Sequence, residues 1–267
     1  MDFIVCVKQV PDPEAPPASF KVDASSNKVV PPPGVPPVIS TFDEIAVEAA
    51  LRLKDAQGGG KITVLSMGNN LVRDVVKKPL AMGADELVLL EDAAYEDGDS
   101  WANASALAAA IKKIGTYDII FCGRQAADWD AGQVGLGIAA LLGIPSVTLV
   151  KKVDVADGKV RVERTVADGF EVVEVPTPCL LTITNELGEP RYAPLKGIMK
   201  AAKIQPIVWK PQDVGLDPAQ IGAQGRRAKL AKLFQPVKEG KCEIIEGENV
   251  ADAAANLAVR LREAKVI

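Results

Sequence analysis

Residues 123–135 read GRQAADWDAGQVG. The stretch follows YDIIFCG (117–123), an apolar run that reads as a buried strand, and it leads into a helix. Ala126, Ala127, Ala131, Gly132 and Gly135 are small, and among them stand Asp128, Asp130, Gln133 and a single large Trp129. Two chemistries suit such a turn. In the first, Asp130 and Gln133 form a capping box, and the small residues let helix and sheet pack closely. In the second, the free N–H groups of a helix start bind an anion such as phosphate, and the small side chains admit a nucleotide to the backbone. Both readings use the same geometry, and the residues leave both open.

A second stretch, NELGEPRYAPLKGIMKAAK (185–203), places Leu195 between Pro194 and Gly197. Basic Arg191, Lys196, Lys200 and Lys203 surround it. It reads either as a solvated loop or as a docking loop. In the latter, one apolar anchor sits in a basic rim suited to an acidic partner.

Other chemistries are narrowed by what the chain lacks. It has no histidine, which removes His-based metal sites and Ser–His or Cys–His nucleophiles. Carboxylate and lysine catalysis remain open. Cys6, Cys122, Cys179 and Cys242 form no C-x-x-C pair, so no zinc ribbon, iron–sulfur or other metal site is expected. Cys6 and Cys122 lie in apparent strands and are expected to be buried apolar residues. The net charge of −4 offers no basic surplus for nucleic acid and no acidic block. GLGIAA (135–140) matches a dinucleotide pattern, but it lies inside the expected helix with no acid about 20 positions on. QGGGK (57–61) lacks the Walker spacing. The opening MDFIVCVKQV has no basic n-region, and no apolar run reaches about 18 residues. A cytoplasmic protein without membrane insertion is expected (mitochondrial matrix if eukaryotic).

The elements that must position these residues follow from hydrophobic patterning. Strands are expected at 2–9, 61–67, 85–91, 117–123 and 146–150, as continuous apolar runs suited to a sheet covered on both faces. Phe42, Ile45, Ala46, Ala49 and Leu53 mark one helix face. Further helices are expected at 71–83, broken or restarted at Pro79, at 100–115 and at 131–143. This alternation predicts an α/β fold with a doubly wound, Rossmann-like parallel sheet. Residues 10–40 hold nine prolines and read as an arm over the surface. Beyond 151 a small β extension is expected, with turns at the two ADG triplets, 156–158 and 167–169. The expected division is an α/β nucleotide-binding domain over 1–183, a recognition loop and extended arm over 184–248, and a C-terminal helix over 249–267. That helix carries Val250, Ala254, Leu257, Ala258 and Leu261 on one face.

VCVKQVPD (5–12), FDEIAVEAALRLK (42–54), LAMGADE (80–86), GRQAADWDAGQVG and NELGEPRYAPLKGIMKAAK occur in that order. Together they resemble the β subunit of electron transfer flavoprotein, over nearly the whole chain. The resemblance implies a heterodimer whose α subunit holds the redox-active FAD. The β subunit holds a nucleotide of its own, AMP in one-flavin carriers or a second FAD in electron-bifurcating relatives. The implied nucleotide-site residues are Cys6, Ser40, Thr41, Phe42, Asp43, Met67, Gly123, Arg124, Gln125, Ala126, Ala127, Asp128, Trp129, Asp130, Ala131, Gly132, Gln133 and Val134. Phe42 matches an aromatic placed near the flavin of the α subunit. Leu195 matches the anchor that docks on partner dehydrogenases, flanked by Lys200 and Lys203. Trp129 departs from the glycine usual in bifurcating relatives. The implied role is electron carriage, not bond-making catalysis, from a flavin dehydrogenase, with an acyl-CoA dehydrogenase as candidate, to a membrane quinone oxidoreductase or another acceptor. Rival readings are a bifurcating complex oxidising NADH, a free-standing nucleotide-binding regulator, and a nicotinamide dehydrogenase, which the failed fingerprint weakens.

Overall fold

A computed structural model describes residues 1–156, 158–236, 240 and 242–267. The chain forms two compact units, Met1–Lys232 and Leu233–Ile267.

The first unit opens with β1 (Asp2–Val7), whose Phe3, Val5 and Val7 face one side of the sheet and Ile4 and Cys6 the other. All five are buried, the signature of a strand covered on both faces. The proline-rich arm follows as β2 (Gln9–Val10), β3 (Lys21–Asp23), β4 (Lys28–Val30) and β5 (Val38–Ile39). These pair only with each other, β2 with β5 and β3 with β4, so no proline enters the main sheet. Then come α1 (Thr41–Ala56), β6 (Lys61–Gly68), α2 (Arg73–Val76), α3 (Lys78–Met82) and β7 (Glu86–Glu91). The expected helix 71–83 is indeed interrupted, with Pro79 in the first turn of α3, where a missing N–H costs nothing. Next are α4 (Ser100–Ile114), β8 (Ile119–Gly123), α5 (Val134–Leu142), β9 (Ser146–Ala156), β10 (Lys159–Val166), β11 (Gly169–Val175) and β12 (Cys179–Ile183). The unit closes with α6 (Leu195–Lys203), β13 (Ile207–Trp209) and the single turn α7 (Gly222–Gly225). Asp99 caps α4 through Ala102 N–H and also accepts from the N–H groups of Arg227 and Ala228 at 2.7 and 2.8 Å, tying the unit's last segment to that helix start.

One nine-stranded sheet runs β11-β10-β9-β12-β8-β1-β6-β7-β13. The chain winds outward from β1 through β6 to β7, then returns to place β8 on the other side of β1. The strand order therefore reverses between β1 and β8, and the carboxyl ends at such a reversal are where doubly wound sheets form a ligand crevice. One hydrophobic layer lies under α1, α3 and α6 and another under α4 and α5, which makes the sheet doubly wound.

Three features depart from expectation. The expected strand at 146–150 continues to Ala156, and β12 inserts parallel between β8 and β9. Residues 184–248 contribute β13, which pairs with β7 at the sheet edge and so extends the main core. Three residues of strand give too short an apolar run to be seen in sequence. The expected helix 131–143 starts only at Val134, and the Asp130–Gln133 capping box does not form. Asp130 has φ 52° and Gly132 φ 62°, left-handed conformations that no helix start can contain. The Asp130 carboxylate instead accepts from the Gln125 side-chain amide at 2.7 Å. Of the two ADG turns, the second joins β10 to β11 across Val166 and Gly169, whereas Asp157 of the first lies outside the described residues.

The second unit holds α8 (Val250–Glu263), capped by the Asn249 side chain accepting from Asp252 N–H at 3.0 Å. Arg260 pairs with Glu243 and Glu263.

The GLGIAA run proves to be a packing device. A Cβ on Gly135 would meet Thr182 at 3.3 Å, and one on Gly137 would lie 2.8 Å from the Cβ of Ala104 on α4. The Ala104 Cβ is fixed to its backbone and cannot turn away. Overpacking of this kind costs about 1–3 kcal/mol, while Ala gains about 0.5–1 kcal/mol over Gly in a helix interior. Gly137→Ala is therefore expected to lose about 1 kcal/mol net, a fall in Tm of about 2–4 °C by calorimetry. An unchanged or raised Tm would contradict the close α4–α5 contact.

Candidate functional site

The crevice at the strand-order reversal is assembled by residues at the start of α1. Asp43, buried in the first helical turn, accepts from Lys8 N–H at 2.8 Å through one carboxylate oxygen and from Gly123 N–H at 3.0 Å through the other. It thus joins the ends of β1 and β8, the two strands that flank the crevice. Burial pushes the Asp43 carboxyl up to about 7, against the pull of these two N–H donors and of the Lys8 cation. Gly123 is required here, since a Cβ would lie 2.5 Å from the Asp43 oxygen and 2.8 Å from the Cβ of Phe42.

Ser40 completes the joint. It precedes α1, yet its side chain does not cap the helix. Its N–H donates to the Lys8 carbonyl at 2.9 Å, and its hydroxyl accepts from Ala127 N–H at 3.2 Å. Three loops, after β1, before α1 and after β8, are bonded into one floor.

On that floor the Arg124 guanidinium lies 4.9 Å from the centre of the Phe42 ring, and its Nε is buried without a partner. Cys6 lies under the site on the α4–α5 side, next to Cys122. A hydrogen bond with Cys6 and burial drive the Cys122 thiol well up, so it stays protonated. Met67, at the end of β6, packs into the same layer, as does Val134. Trp129 is 56% exposed. Gln125, Ala126, Asp130, Ala131, Gly132 and Gln133 shape the turn into α5. No side chain caps that helix, so its first N–H groups are left for water or a ligand. Thr41 opens α1, and its neighbours Ser40, Phe42 and Asp43 make the contacts.

The structure therefore gathers Ser40, Phe42, Asp43, Gly123, Arg124, Ala127 and Asp128 around one crevice, with Cys6 and Met67 beneath. Lys8 belongs with them and escaped the sequence reading. Its Nζ reaches both oxygens of Asp128 at 2.8 and 2.7 Å. Its position one residue past β1, at the carboxyl end of a strand beside the reversal, is the signal that could have found it.

Leu195, Lys200 and Lys203 lie elsewhere, on α6. Pro194 precedes the helix, and Gly197 continues it rather than breaking it. A Cβ on Gly197 would lie 2.1 Å from the Ala81 carbonyl oxygen, so the glycine lets α6 settle on α3. With Ala201 buried, the opposite face presents Leu195 (73% exposed), Ile198, Met199 and the neighbouring Tyr192. The loop leading to α6 is held by Glu48 of α1. Its buried carboxylate accepts from Arg52 Nε and Arg191 Nε, both at 2.8 Å, and from Arg191 N–H at 3.1 Å. Arg52 also donates to the carbonyls of Leu187 and Glu189.

An electron transfer flavoprotein domain matches residues 33–214. The caffeyl-CoA reductase–Etf complex subunit CarD of Acetobacterium woodii is 40% identical over 268 residues, covering 100% of both chains. The electron transfer flavoprotein subunit beta of Thermoanaerobacterium thermosaccharolyticum is 41% identical over 268 residues, again covering 100% of both. Protein FixA of Azorhizobium caulinodans is 37% identical over 267 residues, covering 97% of this chain and 93% of its own.

The chain belongs to the electron transfer flavoprotein family, as a β subunit.

Membership gives the crevice and the α6 face a shared context. The family match spans α1, β8, α5 and α6, which carry both. No helix among the described residues is long and apolar enough to cross a membrane.

The Glu48 cluster carries a pH signature. Burial raises the Glu48 carboxyl, but the Arg191 and Arg52 hydrogen bonds outweigh it and hold the group below its ordinary value. A depressed carboxyl adds stability above the unfolded value of about 4.3 and loses it as pH falls through the folded one. Glu48→Gln is expected to lose about 1–3 kcal/mol at pH 7. The gap from wild type should close below about pH 4, measured by urea unfolding across pH. A gap that persists unchanged at low pH would show that Glu48 acts by shape alone.

Proposed function

We propose that this chain is the β subunit of a heterodimeric electron transfer flavoprotein and holds an adenine nucleotide in the crevice between β1 and β8. The observation that carries this reading is the convergence of an uncapped helix start, the unpartnered Arg124 Nε and a row of small residues above the Asp43 floor. These fit a nucleotide. The α5 N–H groups and the Arg124 guanidinium suit its phosphate, and Ala126, Ala127 and Gly132 leave room for close approach. FAD, held mainly by the α subunit, would supply the one- and two-electron chemistry. This chain's residues would bind, orient and shield: Phe42 would stand toward the flavin, and Arg124 would fix its ring.

The electrons would come from a flavin dehydrogenase, with an acyl-CoA dehydrogenase as the favoured donor, and leave to a membrane quinone oxidoreductase or another acceptor. The docking face would be Leu195 with Lys200 and Lys203, in a cytoplasmic protein. The outward face of α6 and its firm seat on α3 support this. Leu195→Ala is expected to lower electron transfer from the dehydrogenase several-fold in stopped-flow mixing, with nucleotide content unchanged. Equal transfer rates would remove Leu195 from the docking role.

A second reading is a bifurcating complex with a second FAD in this chain. The exposure of Trp129 favours it, because the bulk that departs from such relatives is largely turned to solvent. The purified α–β complex, denatured and chromatographed, distinguishes the two. One FAD and one AMP per heterodimer are expected for a carrier. Two FAD without AMP would move the bifurcating reading first, and no nucleotide in this chain would defeat both.

A further inference from the structure

We propose that Lys8 and Asp128 form a clasp across the crevice that sets how long the bound adenine nucleotide stays. The inference rests on the nucleotide-site reading above and adds a positioning residue to it. Lys8 follows β1 directly, and Asp128 lies five residues past β8. These strands are hydrogen-bonded neighbours at the reversal of strand order. The Lys8 Nζ contacts both Asp128 oxygens, so the pair is bidentate across two loops. Among the described residues it links these two loops side chain to side chain, whereas the floor beneath is made by the Asp43 and Ser40 side chains accepting from the backbone N–H groups of Lys8, Gly123 and Ala127.

That division separates two roles. The Asp43 and Ser40 bonds already fix the backbone at Lys8, Gly123 and Ala127, so the fold does not require the ion pair. What the pair adds is a bridge that opens without disturbing the floor. Its side chains are 43% and 20% exposed, so it is a weak, salt-sensitive contact suited to opening. Both charges act on the Asp43 carboxyl, Lys8 favouring its ionised form and Asp128 opposing it, and the Lys8 backbone is itself bonded to that carboxyl.

The alternative is that Lys8 leaves Asp128 to bind the nucleotide phosphate. The two roles differ in sign at Asp128. A clasp predicts faster release when Asp128 loses its charge. A phosphate ligand freed by that change predicts slower release.

The test uses the α–β complex, stripped of nucleotide, loaded with radiolabelled AMP and chased with unlabelled AMP. Lys8→Met and Asp128→Asn are each expected to speed release about threefold to fivefold, the range of an exposed ion pair. Lys8→Arg should restore the wild-type rate within about twofold, since a guanidinium also grips a carboxylate. The exchanged pair Lys8→Asp with Asp128→Lys should recover part of the loss. Salt at about 0.5 M should speed the wild type and leave Lys8→Met unmoved. Release from Lys8→Met at the wild-type rate overturns the clasp, as does slower release from Asp128→Asn. Fast release from Lys8→Arg equal to that of Lys8→Met also overturns it, because the effect would then be damage to the loop. Failure of the stripped wild-type complex to bind either labelled AMP or FAD at this site overturns the nucleotide-site reading and the clasp with it.

Discussion

The Asp43 carboxylate is the constraint on which the site depends. A parallel sheet leaves the strand ends beside a strand-order reversal with unpaired N–H groups. In this chain two of them, on Lys8 and Gly123, meet one buried side chain. A carboxylate suits that place because both of its oxygens accept, whereas an amide would turn a donor toward one of the N–H groups. The arrangement also explains the glycine at 123. Asp43 approaches β8 so closely that no side chain fits there.

One helix serves two surfaces. The first turn of α1 carries Ser40 and Asp43 toward the crevice, and Glu48 and Arg52 point to the loop before α6. Because α1 is a single helix packed on the sheet, the crevice and the α6 face share one rigid support. Electron transfer itself needs proximity and orientation rather than reactive side chains, in keeping with a chain that has no histidine.

Small residues do different work in neighbouring places. Gly132 gives the turn its left-handed backbone beside the Arg124 carbonyl, whereas Gly135 and Gly137 clear space for packing against β12, β8 and α4. Sequence alone runs these together, and the G-x-G spacing even imitates a dinucleotide fingerprint. The fold separates them by the left-handed turn at Asp130 and Gly132, after which α5 begins.

The sequence by itself determined the alternation of strands and helices, the break at Pro79, the exclusion of the proline arm from the main sheet and the family resemblance. Each rests on local periodicity, on backbone stereochemistry or on motifs contiguous in the chain. The doubly wound class was legible because apolar runs such as DFIVCV suit a strand covered on both faces. Only the tertiary structure decided that β12 lies between β8 and β9, that β13 closes the sheet edge, and that the capping box gives way to a turn. It alone brought Lys8 to Asp128 across 120 residues and Glu48 to Arg191 across 143. No local pattern encodes a pairing at such separation. It arises when the crossover order places β1 beside β8 and carries the loop before α6 over α1.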